Sequence, residues 1–223
     1  MKVSVVIPTY NEEKYIGKCL GSLINQTDAP DEIIVVDNNC TDKTVEIAQK
    51  FNAKIVKEEN QGMIYARNAG FDNAKYELLA RTDADVILPS DWISKIKENF
   101  KDQSLGALSG PAYYYNLPKK LQVSHFPSLY FFKIISLLIK TDCLFGPNMI
   151  LRKLVWEKVR KEVCLNDKKA HEDIDLTMHI CQYTKIKFDN NLIVKTTRVR
   201  WGQISTVYAV RLMKMLYFHR HLR

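Results

Sequence analysis

The chain of 223 residues is predicted to be an α/β domain built on a largely parallel sheet. Three observations carry that expectation. Short Val- and Ile-rich runs alternate with segments of helical periodicity through the first half. No internal repeat, low-complexity tract or linker interrupts the chain. A hydrophobic content of 46% is enough for one sizeable core.

Residues 3–7 are apolar except for Ser4, as suits a strand buried on both faces. Asn11 is placed to cap a helix whose first turn carries Glu12 and Glu13, and Ile16, Cys19, Leu20, Leu23 and Ile24 share its apolar face. Residues 33–36 form a second strand ending at Asp37, after which Thr41 or Asp42 caps a helix reaching about Asn52. Residues 54–56 are a third strand. A loop over 58–62 leads to a helix over 63–74, and a strand over 77–82 runs straight into Asp83-Ala84-Asp85. Ser90 caps a helix with Trp92, Ile93, Ile96 and Phe100 inward. The second half is less regular: a strand over 105–109, an apolar helix over 124–140, a Gly-Pro turn within 144–151, a helix over 172–183 and a last strand over 193–197.

The net charge of +8 is concentrated at one end. No acid follows Asp189, whereas Lys195, Arg198, Arg200, Arg211, Lys214, Arg220 and Arg223 do, so the body is nearly neutral and the tail cationic. The five cysteines, Cys19, Cys40, Cys143, Cys164 and Cys181, lack the close pairs of zinc sites and disulfide-dense domains, and a reducing cytoplasmic setting is expected. The opening apolar run is too short for a secretory leader. The most lipid-like stretch, 128–139, is broken by Lys133 and falls well short of the roughly 20 apolar residues of a spanning helix.

Asp37, Asp83 and Asp85 stand just past the carboxyl ends of predicted strands, where open α/β sheets place their ligand crevice. Asp83 and Asp85 can offer hard oxygens to one divalent ion, Mg²⁺ or Mn²⁺, leaving positions for diphosphate oxygens. Asp-x-Asp alone is common and reads equally as a polar turn. Five segments together say more: Pro8-Thr9-Tyr10-Asn11-Glu12, Val36-Asp37-Asn38-Asn39-Cys40-Thr41-Asp42, Gly62 with Ala66-Arg67-Asn68-Ala69-Gly70, Asp83-Ala84-Asp85, and Glu172-Asp173. In this order the chain resembles the family 2 glycosyltransferases of the GT-A fold over about residues 3–185.

That resemblance implies a Rossmann-like three-layer sandwich over 1–203, with a nucleotide-sugar-binding part over 1–110, an acceptor-binding part over 111–203, and a basic helical extension over 204–223. It implies an inverting, metal-dependent transferase taking a sugar from a nucleoside-diphosphate donor, UDP first, to a hydroxyl of a glycan or lipid-linked acceptor. Pro8, Thr9, Tyr10 and Glu12 would line the base and ribose, with Asn39, Gly62 and Ala84 beside them. Asp37 would accept a hydrogen bond from the base, which suits the imide N–H of uracil. Cys40 stands where relatives usually carry Ser. Arg67 would neighbour the nucleotide, or else be an ordinary surface arginine. Asp83 would bind the ribose or a metal-bound water and Asp85 the metal, whose charge offsets that of the departing diphosphate.

Asp173 would be the general base, with Glu172 as the fallback, although acids in a first helical turn are favoured by the helix dipole whatever the function. Gly146, Asn148 and Met149 match a stretch lining the acceptor side, and equally fit a capped turn. Arg198 and Arg200 partly match the Gln-x-x-Arg-Trp motif of processive synthases, but Thr197 replaces the Gln, so a non-processive enzyme with a phosphate contact at either arginine is expected. The basic extension either packs on the domain or meets an anionic membrane surface at the inner face of the cell membrane. A nucleotide-sugar-binding protein without turnover is the alternative. Nucleic acid is not an expected partner, because no zinc framework or aromatic RNA-binding motif accompanies the tail.

Overall fold

The structure, a computed structural model, describes residues 1–114, 133, 136–165 and 171–197. The basic extension over 204–223, Arg198, Arg200 and most of the apolar 124–140 segment lie outside the described residues. In chain order the elements are β1 (Val3–Thr9), α1 (Ile16–Ile24), β2 (Glu32–Asp37), α2 (Thr44–Gln49), β3 (Lys54–Lys57), α3 (Met63–Asn73), β4 (Leu78–Arg81), β5 (Val86–Ile87), α4 (Trp92–Asn99), β6 (Leu105–Ser109) and β7 (Ala112–Tyr114). A 3-10 turn (Gly146–Asn148) then precedes β8 (Met149–Arg152), α5 (Lys153–Val159), α6 (Glu172–Ile180), β9 (Lys185–Phe188) and β10 (Val194–Thr196).

Among the described residues one sheet has seven strands in the order β3-β2-β1-β4-β8-β6-β9. β8 alone runs antiparallel to its neighbours β4 and β6, and the other pairings are parallel. The sheet crosses the expected division near residue 110, so both parts share one frame. A smaller sheet, β5-β10-β7, stands beside it.

Alternation along the strands builds the three layers. Val5 and Ile7 of β1 and Val35 of β2 pack with Leu20 and Leu23 of α1, Ala48 of α2 and Trp92, Ile93 and Ile96 of α4. Val6, Ile34 and Val36 face the other way, onto Ala66 and Phe71 of α3, Trp156 and Val159 of α5 and Leu176 and Ile180 of α6. Each such aliphatic or aromatic side chain, taken fully from water, contributes on the order of 1.5–3 kcal/mol before entropy is counted. α3 lies unusually close to the sheet: a Cβ on Gly70 would sit 2.2 Å from Val6 Cγ1 and 3.0 Å from Val36 Cγ2.

Two of the three expected caps differ, and the third belongs to a shorter helix. Asn11 adopts φ 55° and does not cap α1, which starts five residues later behind Tyr15. Its Oδ1 instead accepts the backbone N–H of Thr41 at 2.8 Å and braces the loop after β1 against the loop after β2. Asp42 does bond the start of α2, accepting the N–H of Thr44 at 2.9 Å, but that helix stops at Gln49, short of Asn52 with its φ of 55°. Ser90 makes no cap on α4; its carbonyl accepts both the N–H and the hydroxyl of Thr27. β5, β7, β8, α5 and β9 are elements beyond those expected, four of them strands of two to four residues with too little sequence to show a period.

Candidate active site

The carboxyl ends of β1, β2 and β4 open on one side of the sheet, and the expected donor-side residues gather there. Thr9, the last residue of β1, is buried, and its hydroxyl donates to the Val36 carbonyl at 2.7 Å, tying β1 to β2 rather than facing a ligand. Tyr10, next along, is 53% exposed. The Glu12 N–H reaches Thr44 Oγ1 at 2.7 Å, which joins the loop after β1 to α2. Asp37 ends β2 in register with Thr9, and its Oδ1 accepts the Cys40 N–H at 2.8 Å. Cys40 Sγ lies 3.6 Å from Thr9 Oγ1, and burial raises its thiol above the usual range.

Asn38, between two residues expected to matter, does more than either to shape this end. Its buried amide donates to the carbonyls of Glu58 and Asn60 at 2.9 and 2.7 Å, while its Oδ1 accepts from Gly62 N–H at 2.9 Å and from Gln61 Nε2 at 3.3 Å. Asn39, at φ 67°, adds a bond from its Nδ2 to the Glu59 carbonyl. Gly62 takes φ 151°, a conformation that side chains rarely adopt, and leads directly into α3. The loop over 58–62 is thus held chiefly by Asn38, with Asn39 beside it.

The acids meet at the end of β4. Arg81, the last residue of that strand, is almost wholly buried, and its guanidinium faces three carboxylates. Nη2 is 2.8 Å from Glu172 Oε1 and 3.2 Å from Asp83 Oδ1, and Nη1 is 3.5 Å from Asp173 Oδ1. Residues distant in the chain therefore converge, with the first turn of α6 set against the β4 terminus. Gly146 makes the room: a Cβ there would lie 2.9 Å from Cζ, Nη1 and Nη2 of Arg81. Its backbone N–H donates to Asp173.

Environment separates the two neighbouring acids. Burial and the adjacent Glu172 charge push the Asp173 carboxyl up to about 7, against the opposing effect of Arg81. Burial acts on Glu172 in the same sense, but Arg81 and Arg67 outweigh it and hold that carboxyl below its ordinary value. The expectation for Arg67 needs correction. It is completely buried, neither a surface arginine nor open to a nucleotide, and its Nη1 donates to the Glu172 carbonyl at 3.2 Å while its guanidinium lies 5.9 Å from the Trp156 ring. It acts from behind Glu172.

Asp83 remains partly accessible, Ala84 is buried, and Asp85 is held from β10, where the hydroxyls of Thr196 and Thr197 donate to its Oδ2 at 3.4 and 3.1 Å. Burial, with the nearby charges of Asp85 and Glu172, raises the Asp83 carboxyl despite Arg81. A hard divalent cation would relieve that crowding, so Asp83 and Asp85 fit one. Among the described residues no group of three or more His, Cys, Asp or Glu side chains is arranged to hold a metal.

Asn148 and Met149 are also corrected. Both are fully buried and so do not line an acceptor surface. Asn148 Oδ1 accepts the Trp92 indole N–H at 2.9 Å and its Nδ2 donates to the Leu192 carbonyl at 2.6 Å, pinning the 3-10 turn between α4 and the approach to β10. Met149 is the first residue of β8, within the core. Of that stretch only Gly146 touches the acids.

Set beside known proteins, residues 4–160 match the family described as Glycosyl transferase family 2. Glycosyltransferase GlyA of Streptococcus pneumoniae is 31% identical over 120 residues, 52% of this chain and 17% of that protein. Cholesterol galactosyltransferase of Borreliella burgdorferi is 26% identical over 227 residues, 94% of this chain and 63% of that one. The chain thus spans less than two thirds of the length of either. Glucosyl-3-phosphoglycerate synthase of Mycobacterium tuberculosis, solved with Mn²⁺, UDP-glucose and phosphoglyceric acid, has the same architecture with a TM-score of 0.70 at 16% identity, over 98% of this chain and 79% of that one. Among the described residues no helix is long and apolar enough to cross a membrane.

Proposed function

The chain belongs to glycosyl transferase family 2 and has the GT-A fold, and on that premise we propose that it is an inverting, metal-dependent transferase moving a sugar from a nucleoside-diphosphate donor to an acceptor hydroxyl. The observation that carries this reading is the convergence of Asp83 and Asp173 on Arg81, which supports a role for one carboxylate beside a cation and for the other as base.

In this reading the nucleotide lies over the ends of β1 and β2. Asp37, tied through Oδ1 to Cys40, accepts the base N–H through its other oxygen, and uracil supplies the matching imide. Tyr10, exposed just past β1, covers the base, whereas Pro8 is buried within that strand and shapes the turn from beneath, and the loop over 58–62 closes one side. Asp85 and Asp83 would hold a divalent cation, Mg²⁺ or Mn²⁺, which would supply Lewis-acid stabilisation of the diphosphate. Asp173 removes the acceptor proton as the acceptor oxygen attacks the anomeric carbon opposite the diphosphate. A carboxyl raised to about 7 is well matched to that task near neutral pH. The acceptor is a hydroxyl of a glycan or lipid-linked molecule. The Borreliella relative, whose name places its acceptor among lipids, aligns with 94% of this chain and supports the lipid option.

A thermal-shift screen of UDP-, GDP- and dTDP-sugars with Mn²⁺ or Mg²⁺ tests the reading, since a ligand bound only to the folded chain raises its apparent stability. A UDP-sugar is expected to give the largest metal-dependent shift, followed by transfer in an acceptor assay. Shifts independent of metal, or binding with no turnover towards any acceptor, would count against it, the latter leaving a nucleotide-sugar-binding protein.

A further inference from the structure

Arg81 is a buried cation in an otherwise apolar strand, and it contacts its acids unequally. Nη2 meets Glu172 at 2.8 Å, a close ion pair, whereas Nη1 stands 3.5 Å from Asp173 Oδ1, beyond good hydrogen-bond length. Among the described residues Arg81 Nε and Nη1, Glu172 Oε2 and Asp173 Oδ1 are buried with no hydrogen-bond partner. Each such atom has given up its water without gaining a partner, which costs stability. A guanidinium kept only for stability would be expected to saturate its donors on the carboxylates around it. This one spends its short contact on Glu172, which Arg67 also backs at 3.9 Å, and leaves Asp173 loosely held.

The surroundings preserve that asymmetry. Gly146 gives the guanidinium its space and brings its own N–H to Asp173, so one short stretch sets both the position of Arg81 and the position of the acid. Glu172 and Asp173 are adjacent in the first turn of α6, whose amides at Ile174 and Asp175 bond the His171 carbonyl. Fixing Glu172 therefore fixes the orientation of its neighbour.

We propose that Arg81 is a positioning residue: it anchors α6 through Glu172, excludes Glu172 as a base by occupying its carboxylate, and aims Asp173 into the crevice without capturing it. The proposal rests on the transferase reading for what Asp173 does, but the anchoring itself does not. It also settles the roles of two acids that are indistinguishable by spacing.

The test uses the full chain as wild type and as Arg81→Lys, Arg81→Met and Glu172→Gln, with UDP and Mn²⁺ as the binding probe, donor turnover as the kinetic readout, and amide hydrogen exchange across 171–180 as the positional one. In Arg81→Lys, which keeps the charge but not the fork, kcat is expected to fall ~10- to 100-fold while UDP affinity stays within ~3-fold of wild type. Glu172→Gln should lose ~10-fold in kcat and, unlike a change to the base itself, retain clear turnover. Exchange at Ile174 and Asp175 should quicken at least ~10-fold in Arg81→Met while α4 stays protected. Wild-type kcat in Arg81→Met, unchanged exchange at the start of α6, or a Glu172→Gln variant without turnover would each overturn the proposal. If the wild type itself transfers no sugar from any donor, the transferase reading fails, while the exchange comparison still decides whether Arg81 anchors the helix.

Discussion

The two ends of the crevice are built by opposite means. At the ends of β1 and β2 the loops are held by satisfied hydrogen bonds, most of them from neutral side chains: Asn38 alone makes four, Thr9 spans two strands, and Asn11 bridges two loops. At the end of β4 the contacts are ionic, buried and incomplete, with several nitrogen and oxygen atoms around Arg81 left without hydrogen bonds among the described residues. A binding surface gains from being rigid before its ligand arrives, because ordering then costs nothing on association. A group that must take and release a proton gains from not being fully paired, since each hydrogen bond to its charged form makes it a weaker base.

That contrast is most sharply broken at Asp173. Asp173→Asn removes the base and is expected to lower kcat ~10²- to 10⁴-fold with donor affinity intact, measured by steady-state kinetics beside calorimetry. At the other end, Asn38→Ala should act on structure first. It strands several buried groups of the 58–62 loop, so a loss of about 2–3 kcal/mol in urea unfolding is expected together with weaker donor binding. Equal losses of kcat at fixed donor affinity in both variants would erase the distinction.

A smaller change should appear at Asp85. Thr197→Val removes one of the two hydroxyls orienting that carboxylate and should weaken Mn²⁺ affinity by about 10-fold, as read in a metal titration by thermal shift.

pH sharpens the comparison further. Asp173 must be ionised to act, so kcat should rise with pH through about 7 and level off above it. Its contribution to stability has the opposite slope. Because its folded value lies above the ordinary 3.8, the folded chain retains a proton that the unfolded chain has lost, and that stabilisation is present in acid and lost as pH rises through about 7. Glu172, held low, contributes stability above the ordinary 4.5 that is lost as pH falls through its depressed folded value. Unfolding free energies across pH 5 to 8 should therefore decline where activity climbs, and Asp173→Asn should flatten both trends.

Much of the donor-side frame was legible from residues alone, since β1, β2, β3, α3 and β4 follow apolar runs and helical spacing to within a residue or two. The acids were legible as well, because Asp37, Asp83 and Asp85 follow strands directly. Arg81 was not. A single charge ending an apolar strand gives no local sign that it turns inward, and its partners on α6 lie far along the chain. Asn38 was hidden for a similar reason, as its four bonds run to a loop more than a strand away. Asn148 and Met149 misled because a motif position says where the backbone goes, not whether the side chain faces solvent or the Trp92 indole. Thr196 and Thr197 had a faint signal, paired hydroxyls closing the last strand, but only the β5–β10 pairing brings them to Asp85.

A crystal structure of the chain with Mn²⁺ and an unhydrolysed UDP-sugar is the most direct test. The diphosphate should lie against Asp85 and Asp83, with the Asp173 carboxylate on the opposite face of the anomeric carbon and Arg81 still closest to Glu172. A nucleotide bound away from the ends of β1 and β2, or an anomeric carbon shielded from Asp173 by its own diphosphate, would contradict it.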